Sequence, residues 1–165
     1  MVAIPPEQIE GYMLERFKEI FSGLNTAYGR TIKLNKLRQD GKHETESKIW
    51  RQPPTDELWQ KHLDGEEPGL GIVPITKQST CKWGCVDIDQ YSLNHKELIT
   101  KTKDLPTILF RSKSGGGHLF LFTKEFIPAS LMRIKLKMIA SFIGYAKSEI
   151  FPKQDENKSE KSVGS

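Results

Sequence analysis

Residues 83–89 read Trp83-Gly84-Cys85-Val86-Asp87-Ile88-Asp89. The alternation predicts a β-strand, because successive side chains on an extended backbone point to opposite faces. Val86 and Ile88 then share one face, where helices should pack, and Asp87 and Asp89 share the other. Two neighbouring carboxylates on a central strand cost free energy unless something cationic meets them. A divalent metal does so, and hard oxygen donors favour Mg2+ or Mn2+. Two solvated aspartates at an exposed strand end are the alternative that the pair leaves open by itself.

Downstream, Leu93–Lys103 reads as a helix and Thr107–Ser112 (TILFRS) as a strand. Gly115-Gly116-Gly117 reads as a turn and His118–Phe122 (HLFLF) as a further strand. Ala129–Ala146 reads as a helix with Leu131, Ile134, Met138, Ile139 and Phe142 on one apolar face and Arg133 and Lys137 opposite. Glu149–Phe151 is a last strand, closed by Pro152. The order β-α-β-β-α-β predicts an α+β fold of the ferredoxin-like, RNA-recognition-like kind. Right-handed crossovers then give the strand order 4-1-3-2, with the Asp87 strand central between HLFLF and EIF.

Upstream, residues 6–24 read as an amphipathic helix through Ile9, Met13, Phe17, Ile20, Phe21 and Leu24, with Gly23 at its end. Tyr28–Leu34 reads as a strand and Asp40–Ser47 as a polar loop. Thr55 caps a helix over Asp56–Leu63 that stops at Gly65, and Gly69–Ile75 reads as a strand with Pro74 at its edge. The expected organisation is an N-terminal α/β subdomain over 1–75, a palm over 76–154 and a loose polar tail over 155–165.

The 165 residues carry 25 Lys+Arg and 21 Asp+Glu, a net +4, with 36% hydrophobic residues, enough to build a core. Residues 101–153 hold ten basic residues against Asp104, Glu125 and Glu149. That local surplus suggests a polyanion partner such as nucleic acid, or else a solvated lysine-rich face. No apolar run is long enough to span a bilayer and the N-terminus has no secretory pattern, so a cytoplasmic location without a membrane partner is expected. The two cysteines, Cys81 and Cys85, are too few for a disulfide scaffold. His43, His62 and His95 could complete a zinc site with them, but no pair has finger spacing, and two isolated thiols are the simpler reading.

Glu149, one strand away, can share the face of Asp87 and Asp89. Adjacent strands lie ~4.8 Å apart, so three carboxylates would cluster within reach of two metal ions, the usual apparatus of phosphoryl transfer. The alternative is a surface acid beside Lys147 and Lys153. Arg111-Ser112-Lys113-Ser114-Gly115-Gly116-Gly117-His118 joins two strands through glycines, whose backbone N–H groups can form an anion nest. With Arg111, Lys113 and the two serines it reads as a triphosphate cradle, His118 facing the carboxylates. An ordinary hairpin turn is the alternative. Phe120 and Phe122 could stack bases or serve as core. Arg133, Lys135 and Lys137 could contact a nucleic-acid backbone or line a solvated helix face.

The three motifs Val86-Asp87-Ile88-Asp89-Gln90-Tyr91, Arg111–His118 and Glu149-Ile150-Phe151-Pro152-Lys153-Gln154 stand in the order found in the archaeo-eukaryotic primase superfamily. Over roughly residues 69–155 the chain resembles the primase-polymerases of phages, plasmids and bacterial defence systems. The resemblance implies a palm that joins nucleotides from (d)NTP on a single-stranded DNA template. Asp87, Asp89 and Glu149 would be metal ligands and His118 a contact to the nucleotide phosphates. From the residues themselves, the Arg111–Gly117 segment is the expected nucleotide-binding turn, and Arg133, Lys135, Lys137 and Lys153 are the expected contacts to nucleic acid. Helicase or other replication domains are implied partners in a full-length protein. Gly116 stands where many members have serine, so Ser112 or Ser114 must supply any hydroxyl. Glu149, with Ser148 beside it, replaces the more frequent aspartate. Members usually continue past Phe151–Gln154 through another strand, whereas this sequence ends at Val163-Gly164-Ser165, so a truncated fragment is the expectation.

Overall fold

The chain builds two antiparallel sheets, and the structure, a computed structural model, describes residues 6–37, 43–90, 92–112 and 115–158. The chain divides into two compact units, one up to Val73 and the other from Pro74.

The first unit contains α1 (Pro6–Ile20), β1 (Tyr28–Leu37), β2 (His43–Trp50), α2 (Asp56–Leu63) and β3 (Gly69–Ile72), with its sheet ordered β2-β1-β3. Tyr28 is 1% exposed and pairs with Trp50 on one side and Ile72 on the other. Helix α1 ends at Ile20, before Gly23, and Phe17 meets the Trp59 ring edge-on at 5.8 Å. Met13 of the expected apolar stripe is exposed, and the side chain of Ile9 lies outside the described residues. Thr55 caps α2 through its hydroxyl, which accepts from the Leu58 N–H at 3.3 Å. The polar stretch expected to be a loop over 40–47 is corrected from residue 43 on. His43–Trp50 is a strand because its backbone pairs with β1, although its side chains are mostly exposed. Propensity reads side chains, whereas an outer strand is held by its ladder.

The second unit contains β4 (Thr80–Ile88), α3 (His95–Thr102), β5 (Thr107–Arg111), β6 (Gly117–Pro128), α4 (Ala129–Phe142) and β7 (Glu149–Phe151). Its sheet runs β5-β6-β4-β7, which is the expected 4-1-3-2 order read from the other edge. Val86, Ile88, Leu119 and Ile150 are buried. Each such side chain contributes about 1.5–3 kcal/mol on leaving water.

Helix α4 packs against β4, but not through the expected face. Met132, Leu136, Ile139 and Ile143 are buried, whereas Leu131, Ile134, Met138 and Phe142 are 46%, 55%, 58% and 73% exposed. The helix is apolar around most of its circumference, so its periodicity alone does not choose the packed side. Strand β4 does: a Cβ at Gly84 would stand 2.7 Å from Leu136 Cδ1 and 2.8 Å from Met132 Cγ, so the missing side chain makes the seat for that face.

The segment read as a loose tail is held at its start. Asp155 pairs with Arg133 Nε at 2.6 Å, and the Asn157 N–H donates to Ser79 Oγ at 2.9 Å. Residues 159–165 lie outside the described residues. Among the described residues no helix is long and apolar enough to cross a membrane.

Candidate active site

Strand pairing assembles the site. Asp87 on β4 stands opposite His118 on β6 and opposite Glu149 on β7. Directly paired residues on neighbouring strands project to the same face, so a carboxylate is flanked by an imidazole and a second carboxylate. His118 Nε2 lies 3.4 Å from Asp87 Oδ1. The hydrogen bond to Asp87 holds the His118 pKa above its ordinary value. Partial burial opposes the shift, and the charges of Asp87 and Asp89 add to it. Asp89 follows the end of β4 and is exposed.

A cleft of about 590 Å³ opens at this end of the sheet, and Asp87, Asp89, Tyr145, Lys147, Ser148 and Glu149 are among the residues that line it. The three acids therefore border one space, but they do not form the expected cluster. Among the described residues no three His, Cys, Asp or Glu side chains are arranged to hold a metal ion. The reason is local: Glu149 Oε1 is drawn to Lys153 Nζ at 2.9 Å, and Asp87 turns to His118. The donor chemistry still fits a hard divalent cation, because three carboxylates line one cleft. Exposed pairs such as Glu149–Lys153 are worth only about 0–1 kcal/mol, so the pairing is a weak hold on Glu149.

The glycine turn lies against the carboxyl end of β4. A Cβ at Gly116 would stand 2.4 Å from the Ile88 carbonyl oxygen, so only glycine allows this approach. The Ser112 N–H donates to Gly116 O at 3.0 Å, and Gly115, at φ +94°, donates its own N–H to Ser112 O at 3.1 Å. That last bond corrects the expected anion nest, since the Gly115 amide is used inside the turn. Gly117 is paired within the sheet, opposite Arg111 and Ile88. Arg111 is exposed at the end of β5. Lys113 and Ser114 of the expected cradle lie outside the described residues, as does Tyr91.

His95 joins the site in a role other than the zinc ligand considered from the sequence. His95, at the start of α3, places Nε2 3.2 Å from Gly116 O, a carbonyl that can only accept, so the ring donates and pins the turn. A lone histidine 21 residues from its partner gives no sequence signal. Tyr145 and Lys147, in the loop before β7, were likewise not singled out as lining a cleft.

The remaining candidates separate. Arg133 is 16% exposed along its side chain and donates from Nη1 to Pro152 O at 2.6 Å while pairing with Asp155. It is an internal strap rather than a free cation. Lys135 and Lys137 are exposed. Phe120 is half-buried, meets the rings of His118, Phe110 and Trp83 at 6.2, 5.4 and 5.9 Å, and stacks on Phe122 at 5.8 Å. Cys81 and Cys85 are buried free thiols. Burial pushes their pKa values up to about 11 and about 12, so both stay protonated at neutral pH.

No curated protein matches the chain. A family model described as the TOTE conflict system, Archaeo-Eukaryotic Primase domain, matches residues 13–165, which takes in both units. Domains of that superfamily are generally nucleotidyltransferases and typically depend on divalent metal. A match over so much of the sequence, together with the ordered motifs around Asp87, His118 and Glu149, makes the chain a member of the archaeo-eukaryotic primase domain family of TOTE conflict systems.

Proposed function

We propose that the protein is a primase-polymerase palm that adds nucleotides from (d)NTP to a growing strand on a single-stranded DNA template. The observation that carries this reading is the strand register that sets His118, Asp87 and Glu149 side by side, with the two acids lining one cleft. Asp87, Asp89 and Glu149 would hold Mg2+ or Mn2+, which when bound neutralises phosphate charge and lowers the pKa of an attacking hydroxyl. The strand's 3′-hydroxyl attacks the α-phosphorus of the nucleotide. A new P–O bond forms as the bond to the bridging oxygen breaks, and pyrophosphate leaves.

The chain's own groups have distinct tasks in this reading. His118, whose protonated form the hydrogen bond to Asp87 favours, donates to a phosphate oxygen of the nucleotide. Arg111 and Ser112 border the turn and supply charge and a hydroxyl, with Lys113 and Ser114 between Ser112 and Gly115 in sequence. His95 fixes the turn by holding the Gly116 carbonyl. Glu149 leaves Lys153 and turns to the cleft, which frees Lys153 for phosphate. The test is incorporation of labelled nucleotide on a single-stranded template, with and without a primer, in Mg2+ or Mn2+. The reading requires template-dependent product that disappears in chelator.

A second reading has two observations in its favour. Glu149 is paired with Lys153 and the Gly115 amide is engaged, as in a module that binds nucleotide or single-stranded nucleic acid without turnover. It requires salt-sensitive binding, no incorporation and indifference to Mn2+.

A further inference from the structure

A second cleft, of about 490 Å³, adjoins the first. It is lined by Arg133, Lys137, Ser141, Ser148, Glu149 and Lys153 among others, and it shares Ala146, Ser148 and Glu149 with the carboxylate cleft. Its walls are one flank of α4 and strand β7, the edge strand of the sheet. Three cations border it and only one acid, Glu149. Arg133 is committed to Pro152 and Asp155, and Lys153 to Glu149. Lys137 has no ion-pair partner among the described residues. Ser141 and Ser148 add two hydroxyls to the cleft's lining.

We infer that this cleft seats the backbone phosphates of the growing strand just behind its 3′ end. The inference rests on the nucleotidyl-transfer reading for its direction. In-line displacement sets the attacking oxygen and the leaving pyrophosphate on opposite sides of the phosphorus. The glycine turn joins β5 to β6, on one side of Asp87, and the second cleft lies along β7, on the other. A triphosphate held at the turn leaves the β7 side for the strand that attacks. Ser148 and Glu149 border both clefts, so a strand bound in the second is led to the carboxylates. A lysine and two hydroxyls recognise phosphate without reading bases, as sequence-independent synthesis demands. Arg133 is a positioning residue here: it holds the segment that carries Lys153.

The test is binding by fluorescence anisotropy to a primed template, to the unprimed template strand and to nucleotide, for the wild type, Lys137→Ala and Ser141→Glu. Both positions are exposed on a helix, and circular dichroism checks that the variants fold. Lys137→Ala should weaken primed-template binding about fivefold and lower the salt slope by about one. Ser141→Glu, which puts a negative charge in the cleft, should weaken it further, and Lys137→Arg should restore it. Affinity for nucleotide should stay at the wild-type value, and the unprimed strand should lose less affinity than the primed template. Unchanged affinity and slope for the primed template overturn the inference. So does an equal loss for the unprimed strand, which makes this a template site, or a loss for nucleotide, which makes it a triphosphate site. Binding needs no turnover, so failure of wild-type incorporation sinks the catalytic reading, while the variants' binding decides this one.

Discussion

Replacing Gly116 with alanine tests whether the glycine turn is fitted to the carboxylate strand or is merely a loop. The added Cβ would lie 2.4 Å from the Ile88 carbonyl oxygen, where ordinary contact begins at 3.4 Å, and 3.2 Å from Ser112 Oγ. The turn and the strand must therefore separate by roughly 1 Å, as a buried site does when overpacked. Neither side gives easily. Ile88 is 1% exposed and paired with Gly117, and the Gly116 carbonyl is held by Ser112 and His95. Overpacking of this kind costs about 1–3 kcal/mol. With a urea dependence of about 2 kcal/mol per molar, the unfolding midpoint should fall by about 0.5–1.5 M. Gly11→Ala is the control, because it lies in α1 with nothing within 4 Å. It should gain about 0.5–1 kcal/mol from helix propensity. Urea unfolding followed by circular dichroism reads both. A Gly116→Ala midpoint equal to that of the wild type would refute the reasoning and leave the turn an ordinary hairpin.

Three further outcomes follow from the same structure. The folded-state pKa of His118 is raised, so its pairing with Asp87 stabilises the fold fully below the ordinary histidine pKa. That contribution is lost as pH rises through the folded value, so Asp87→Asn should move the His118 NMR titration to lower pH and flatten this part of the stability profile. Arg133→Ala should destabilise the protein by about 1.5–3 kcal/mol, the range for hydrogen bonds to charged groups, and speed amide exchange at residues 155–157. Arg133→Lys cannot both donate to Pro152 O and pair with Asp155, and should rescue only part. Cys81 and Cys85 should resist alkylation at pH 8 until denaturant is added, because the buried thiols stay protonated; rapid labelling of the folded protein would contradict their burial.

The palm was legible because Val86-Asp87-Ile88-Asp89 alternates and the other strands are short apolar runs bounded by turn residues. Trp83–Asp89 and His118–Phe122 announce their faces, and the crossover rule then orders the sheet without further information. Strand β2 was not, because His43-Glu44-Thr45-Glu46-Ser47 is polar on both faces and is held through main-chain pairing. The packed face of α4 depends on Gly84, a residue on another element, which no helical periodicity contains. At the site, sequence placed Asp87, His118 and Glu149 on one face, and the register does the same. It did not show that Lys153 draws Glu149 away or that the Gly115 amide turns inward, since both depend on local conformation. His95 and the 155–157 segment act over long sequence distances, 21 residues for His95–Gly116 and 78 for Asn157–Ser79, and left no local trace.

The role given to Asp87 and Asp89 is tested most directly by nucleotide incorporation on a primed single-stranded template, comparing the wild type with the Asp87→Ala/Asp89→Ala double variant in Mg2+ and in Mn2+. Wild-type product with none from the double variant, at unchanged circular dichroism, is the predicted result. Primer extension retained by the double variant would contradict the assignment.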